Sequence, residues 1–367
     1  MKKLLIIVIE GCSLEYISLE NTPNIYRIAK SGFCKCLKSA VPAISSVNHT
    51  TILSGKFPCE HRMIGNSVYH RSTGETELLE NPGQQEIETI LDFMHKKGAS
   101  TAMLSVERWI PENLGRSVDF NICAENPQDI LVRYLDMPSP PPVESMEAAA
   151  WILDACWRLI KKNSIDTVYC VTNDYMMRHY APDSEEALAQ MRKIDKWIGK
   201  IYDLEPEREL YITGGCGMSC RAKLVNLQQI LTWNGFDVHC HFPWREVSGC
   251  SRQETIDEEL PPQQIGMSFL YLKGDGEQQR EKLEKFLEAA PYVDMISPKE
   301  EAARRFNLPA DMIGDYLVFA ADGYTFGEFD GEEQELEGAR SNGALMERAT
   351  PLIAVNAPEV PEKYRYN

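Results

Sequence analysis

The chain is short of positive charge. Lys and Arg number 38 against 55 Asp and Glu, which gives a formal net charge of -17. Nucleic acids and anionic membranes are bound through basic surfaces, so neither is an expected partner. A small anionic molecule is still possible, but a local site would have to hold it against the overall field. Long hydrophobic runs are also missing: no segment reaches the ~20 apolar residues that span a bilayer. The nearest, Leu4–Ile9 behind Lys2 and Lys3, stops at Glu10 with no small-residue cleavage site after it. It reads as a buried first strand rather than an export signal. Paired cysteines are lacking as well. The 11 cysteines are odd in number and scattered, and only Cys34/Cys36 and Cys216/Cys220 lie close together. Neither pair has a zinc-knuckle spacing, so reduced thiols and a cytoplasmic setting are expected.

What is present is ordinary for a soluble globular protein: 367 residues, 43% hydrophobic and 25% charged, enough for a sizeable core. Apolar β-branched runs alternate with helical patterns. Leu4–Ile9, Thr101–Leu104, Thr167–Val171 and Leu210–Thr213 read as strands. Thr22–Ser31, Ser46–Leu53, Glu86–Lys97, Met146–Lys162 and Glu185–Ile201 read as helices, the first opened by Thr-Pro. This alternation predicts an α/β fold, a mostly parallel sheet covered by helices on both faces. Pro138–Pro142 is a surface linker. After Cys220 the pattern changes. Strands at Phe269–Leu272, Val293–Ile296 and Tyr316–Ala320, with helices at Gln278–Ala290 and Lys299–Phe306, predict a smaller α+β cap over 222–320, inserted into a core of 1–221 and 321–367.

In parallel α/β sheets the chemistry gathers at the carboxyl ends of the strands. Four segments qualify: Glu10-Gly11-Cys12, the loop Pro42–Thr51, Thr172-Asn173-Asp174, and Thr213–Met218. Ser45, Ser46 and Asn48 fall at a helix N-terminus, where backbone amides suit an anion. A serine there is either a nucleophile or a simple helix cap. Asp174 and Arg178 lie four apart and would pair on a helix, as a site or as a surface pair of ~0.3–0.5 kcal/mol. His239 and His241 flank Cys240, but adjacent strand residues point to opposite faces, so a metal site is not expected there. His49 and His61 read as structural.

Together these segments resemble the alkaline phosphatase superfamily, in its nucleotide pyrophosphatase/phosphodiesterase branch and nearest the phosphonoacetate hydrolases. The resemblance rests on Thr22-Pro23-Asn24 through Gly65-Asn66, with Asn48-His49 and Ser54-Gly55, on Asn173-Asp174-Tyr175 with Ala181-Pro182, and on Arg305–Gly314 and Arg340–Gly343. It implies a three-layer α/β/α core and a two-zinc hydrolase site. It also implies site positions at Glu10, Ser45 (nucleophile), Asn48 (oxyanion group), Asp174, Arg178, Gly215, Cys216 and Asn342. Of the metal positions, only Glu10, Asp174 and Cys216 carry side chains suited to zinc. Arginine has no lone pair to give and glycine has no side chain, so no zinc, or at most one, is expected. A Lys-x-Lys element that holds the substrate carboxylate in phosphonoacetate hydrolases corresponds to Glu107-Arg108-Trp109. Three functions fit these residues. The first is a catalytically silent member that binds a small anion or a partner through Arg178, Asp174 and Asn342. The second is a hydrolase of phosphate or phosphonate esters with a remodelled site. The third is altered chemistry at Cys216 or Ser45.

Overall fold

The computed structural model describes residues 2–79, 87–244, 264–358 and 366. Its centre is a seven-stranded sheet in the order Phe33–Lys38, Ala349–Val355, Glu209–Thr213, Leu4–Val8, Thr167–Val171, Thr101–Ser105, Phe120–Cys123. The last five strands run parallel. Ala349–Val355 is antiparallel to both of its neighbours. Alternation along each strand decides which layer it meets. Leu5, Ile7, Val168 and Cys170 pack with Ile28, Ile152 and Ile194 of the helices Pro23–Ser31, Met146–Lys162 and Glu185–Leu204. Val8, Met103, Tyr169 and Val171 face the other way, against Leu53, Leu91 and Ile110 of the helices Ser45–Ser54, Ile90–Lys96 and Trp109–Leu114. The three-layer α/β/α core is therefore present.

Several element bounds differ from the sequence expectation by one to four residues, two helix starts among them for a visible local reason. The helix expected over Glu86–Lys97 starts at Ile90, because Thr89 and Asp92 form a reciprocal capping box there; residue 86 lies outside the described residues. The helix expected over Gln278–Ala290 is Arg280–Glu288, preceded by a 3-10 turn at Gly274–Gln279.

Strands Val238–His241, Met267–Leu272, Tyr316–Ala320 and Val293–Pro298 form a separate, wholly antiparallel sheet. Its core is continuous with Val41, Ile44 and Val47 at the start of the helix Ser45–Ser54. The expected boundary at 221/222 falls inside a strand, Ser219–Val225. This strand pairs with Gly323–Phe326, Glu333–Glu335 and Arg340–Ser341 in a third sheet. A fully buried ion pair fixes this junction. Arg221 Nη2 lies 2.6 Å from Glu347 Oε1, and both side chains have 0% exposure. Arg221 Nε also donates to Ser341 Oγ, and Glu347 Oε2 accepts from the Ala344 amide. The pair thereby clamps the loop that presents Asn342.

Removing one partner of a buried, hydrogen-bonded pair leaves a charge that water cannot reach. Glu347→Ala is expected to lower the unfolding free energy by about 3–5 kcal/mol, and Thr89→Ala by about 1 kcal/mol. Denaturant titration of both variants measures the difference.

Candidate functional site

The parallel strands end on one side of the sheet, and the loops that follow them carry the polar residues. Glu10 comes directly after the strand Leu4–Val8 and Ile9, and is 3% exposed. Ser45 opens the helix Ser45–Ser54, whose N-cap is Ile44. The capping role offered for Ser45 by its position does not hold. Its hydroxyl donates instead to Glu10 Oε2 at 2.5 Å. One turn further along, fully buried His49 brings Nε2 to 3.0 Å from Glu10 Oε1, at an angle that leaves both atoms without an aligned hydrogen bond. On its other side His49 Nδ1 meets the Tyr169 hydroxyl at 2.6 Å. Burial opposes ionisation of Glu10. His49, the Ser45 hydrogen bond and the Arg178 guanidinium outweigh it and hold the carboxyl below its usual range.

Glu10 is coupled sterically to Gly215. A Cβ added at Gly215 would lie 2.3 Å from Glu10 Oε1 and 3.3 Å from Oε2. The longer carboxylate thus fills the volume that a ligand side chain at 215 would need. Cys216, next in the chain, is buried and accepts a hydrogen bond from Asn342 Nδ2 at 3.3 Å. Burial, with Glu10 and Asp174 nearby, raises its thiol pKa well above the ordinary value, so it is a neutral thiol and not a ready nucleophile.

Asp174 follows the strand Thr167–Val171, and its Cβ stands 3.1 Å from where a side chain at Gly11 would begin. Arg178, one turn later, donates through Nη2 to Asp174 Oδ2 at 2.8 Å. The carboxylate side chain is 9% exposed and the arginine 39%. The Asp174 charge outweighs desolvation and raises the Arg178 pKa further, so the guanidinium stays cationic. Glu10, Ser45, Asp174, Arg178, Gly215, Cys216 and Asn342 are thus linked through one another's contacts or fields. Asn48 is the exception. It is 0% exposed, its Oδ1 accepts from the Ala40 amide and its Nδ2 donates to the Pro42 and Ile44 carbonyls. In this arrangement the donors of Asn48, for which an oxyanion role is expected, hold the loop before Ser45.

Two groups were legible only in part. His49 lies four residues after Ser45, so helical spacing alone puts it on the same face. Glu107 follows the strand Thr101–Ser105, and its Oε2 accepts from Trp109 Nε1 at 3.0 Å. Burial first, then Asp174 and Glu10, push its carboxyl up to about 8 against the opposing pull of Arg178 and the Trp109 hydrogen bond. Tyr169 sits inside an apolar strand and gave no sequence signal. Among the described residues, His239 and His241 lie on a strand with Cys240 between them, away from this cleft.

A polar cleft at the carboxyl edge of a parallel sheet, with a serine at a helix start facing a strand-one carboxylate, defines an alkaline-phosphatase-like hydrolase architecture. The sequence model of type I phosphodiesterase / nucleotide pyrophosphatase matches residues 4–344, and the chain belongs to that family. Among solved structures it is similar to phosphonoacetate hydrolase from Sinorhizobium meliloti 1021 in complex with phosphonoformate. That match has 24% identity and a TM-score of 0.86, and covers 100% of this chain and 93% of that one. It is also similar to human ectonucleotide pyrophosphatase/phosphodiesterase 5, with 18% identity, a TM-score of 0.65 and coverage of 96% and 88%. The murine counterpart, an inactive variant in complex with AMP, matches at 16% identity and a TM-score of 0.67, covering 100% of this chain and 90% of that one. These likenesses establish the fold.

The family's chemistry is metal-dependent, and the donor set here does not suit two zinc ions. Arg178 offers protons where a lone pair is needed, and Gly215 offers nothing and has no room for a side chain. Cys216 is one thiol, held by Asn342, and by itself falls short of the three or four ligands that zinc takes. Among the described residues, no group of three or more His, Cys, Asp or Glu side chains is placed to hold a metal ion.

Glu107 carries a stability consequence. Its folded pKa of about 8 exceeds the ordinary 4.5, so between those values the unfolded chain sheds a proton that the folded chain keeps. Stability therefore falls as pH rises through that window. Glu107→Gln removes the penalty. It is expected to leave stability at pH 4 unchanged and to raise it at pH 8 by on the order of 1–3 kcal/mol, after discounting for solvent screening. Thermal melts of both proteins across that range provide the check.

Proposed function

We propose that this family member has lost two-zinc hydrolysis and uses the same cleft to bind a small anionic ligand, with Arg178 as the anchor. The observation that carries this reading is the state of the Arg178 guanidinium. Among the described residues Nη2 alone is engaged, by one Asp174 oxygen, and the side chain is 39% exposed. The remaining N–H donors of the planar fork suit a phosphate, phosphonate or carboxylate. The pairing also spares Asp174 the cost of an unpaired carboxylate in a partly desolvated cleft.

Catalysis by Ser45 alone is disfavoured on chemical grounds. Its hydrogen-bond acceptor, Glu10, is held below the usual carboxylate range. A general base works best with a pKa near the working pH, so a carboxylate this acidic takes the serine proton poorly. Cys216 is disfavoured in the same way, because its thiol stays protonated. Phosphonoacetate itself fits badly, because its carboxylate would meet the Glu107 side chain where family relatives place lysine.

Calorimetry with inorganic phosphate on wild type and Arg178→Ala tests the assignment. Binding by wild type that falls at least about tenfold in the variant, the size of one charge-assisted contact, is expected. So is the absence of phosphonoacetate hydrolysis by either protein. Equal phosphate binding by the two proteins, or none by wild type, would contradict the anchor. Phosphonoacetate turnover abolished by Ser45→Ala would contradict the loss of hydrolysis.

A further inference from the structure

In the same cleft as the Arg178–Asp174 pair, Glu107 is a carboxyl group with no cationic partner among the described residues. Glu107 Oε2 is held by the Trp109 indole N–H, and among the described residues no lysine or arginine forms an ion pair with either oxygen. Arg178 acts on Glu107 only at longer range, while its own contact is with Asp174. Arg108, the next residue along, is committed elsewhere. Its amide donates to Glu125 Oε2 at 2.8 Å and its Nε lies 3.7 Å from Glu125 Oε1. Glu10 and Asp174 both press negative charge on Glu107.

Deeper in, Glu10 is met by the Ser45 hydroxyl on Oε2 and by His49 Nε2 at 3.0 Å from Oε1. Its side chain is 4% exposed. Oε1 has no aligned hydrogen bond and points into the space above Gly215. The cleft therefore holds three carboxyl groups beside one guanidinium and one imidazole, and once Glu107 ionises, above its raised pKa of about 8, a purely anionic ligand on Arg178 would add to the negative excess. Beside Glu107 stands the partly exposed Trp109 indole, its ring centroid 5.8 Å from that of His49. A carboxylate next to an indole is the environment that receives an ammonium group, by ion pairing and by attraction to the ring face.

We infer that the ligand is a zwitterion, with a phosphate- or phosphonate-type head on Arg178 beside Ser45 and an ammonium group between Glu107 and Trp109. This rests on the reading that Arg178 holds the anion, and adds what the other end of the ligand must be. Such a ligand sets a cation against the acidic group and brings less net negative charge than the same head without an amine into a chain whose formal charge is already -17. Glu107 acts here as a specificity determinant, and nothing in the inference requires it to take part in a reaction.

The test compares two probes of similar size, 2-aminoethyl phosphate and propyl phosphate, by calorimetry at pH 9, above the raised Glu107 pKa of about 8, on wild type, Glu107→Gln, Glu107→Lys and Arg178→Ala. Wild type is expected to favour the amine about tenfold, one desolvated ion pair. Glu107→Gln should bring the ratio to within about twofold. Glu107→Lys should reverse it, and Arg178→Ala should weaken both probes alike. Because the glutamine variant is expected to be at least as stable as wild type, loss of discrimination in it cannot be put down to unfolding. Equal binding of the two probes by wild type, still dependent on Arg178, overturns the zwitterion inference and leaves the anion anchor standing. A preference for the amine that survives Glu107→Gln also overturns it. No binding of either probe by wild type overturns both readings.

Discussion

The position of one carboxylate governs the rest of this cleft. Glu10 emerges from the central strand, receives the Ser45 hydroxyl and lies against His49. It also occupies the volume over Gly215 that any side chain there would require. Changing a single member of this group would not restore a metal site. A ligating residue at 215 would collide with Glu10, and shortening Glu10 would leave the serine and the buried imidazole facing a void. The strand-one residue and the 215 position therefore have to be understood as one steric unit, in which a longer side chain at one place goes with no side chain at the other.

The second half of the cleft follows the same logic in charge rather than volume. Arg178 places a permanent cation one turn from Asp174, which stabilises that carboxylate without a metal. The two substitutions reinforce each other electrostatically. The guanidinium helps to keep Glu10 ionised, and an ionised Glu10 contributes to the negative field that keeps Cys216 protonated. The buried Arg221–Glu347 pair lies outside the cleft but holds the loop from which Asn342 reaches the thiol. The result is a polar cleft with a carboxylate held below its usual range, a neutral thiol and a partly exposed guanidinium, and the proposed ligand-binding role rests on these three features.

Much of this was legible in the sequence, for identifiable reasons. Long periodic segments such as Met146–Lys162 and Thr167–Val171 match their expected bounds because burial on one face or both imposes the period. The edge strand Phe33–Lys38 and its neighbour Ala349–Val355 escaped notice, the first because alternating Lys and Cys mask its apolar side. Ser45, Asp174 and Arg178 were found from their places after strands and at helix starts. The hydrogen bonds of Asn48 were not legible, because chain position says nothing about which backbone carbonyls an amide will meet. The Glu10–Gly215 fit and the charge imbalance at Glu107 could not be read from the sequence. Each depends on distances between residues that are separated by most of the chain.

The central claim is that side chains have taken the place of two zinc ions in this cleft. Elemental analysis addresses it most directly, on protein purified with zinc supplied at neutral pH and then freed of loose metal by gel filtration. The account predicts fewer than two equivalents of zinc per chain, with no loss of the remainder in Asp174→Ala. Two equivalents in wild type, both lost in Asp174→Ala or Glu10→Ala, would contradict it.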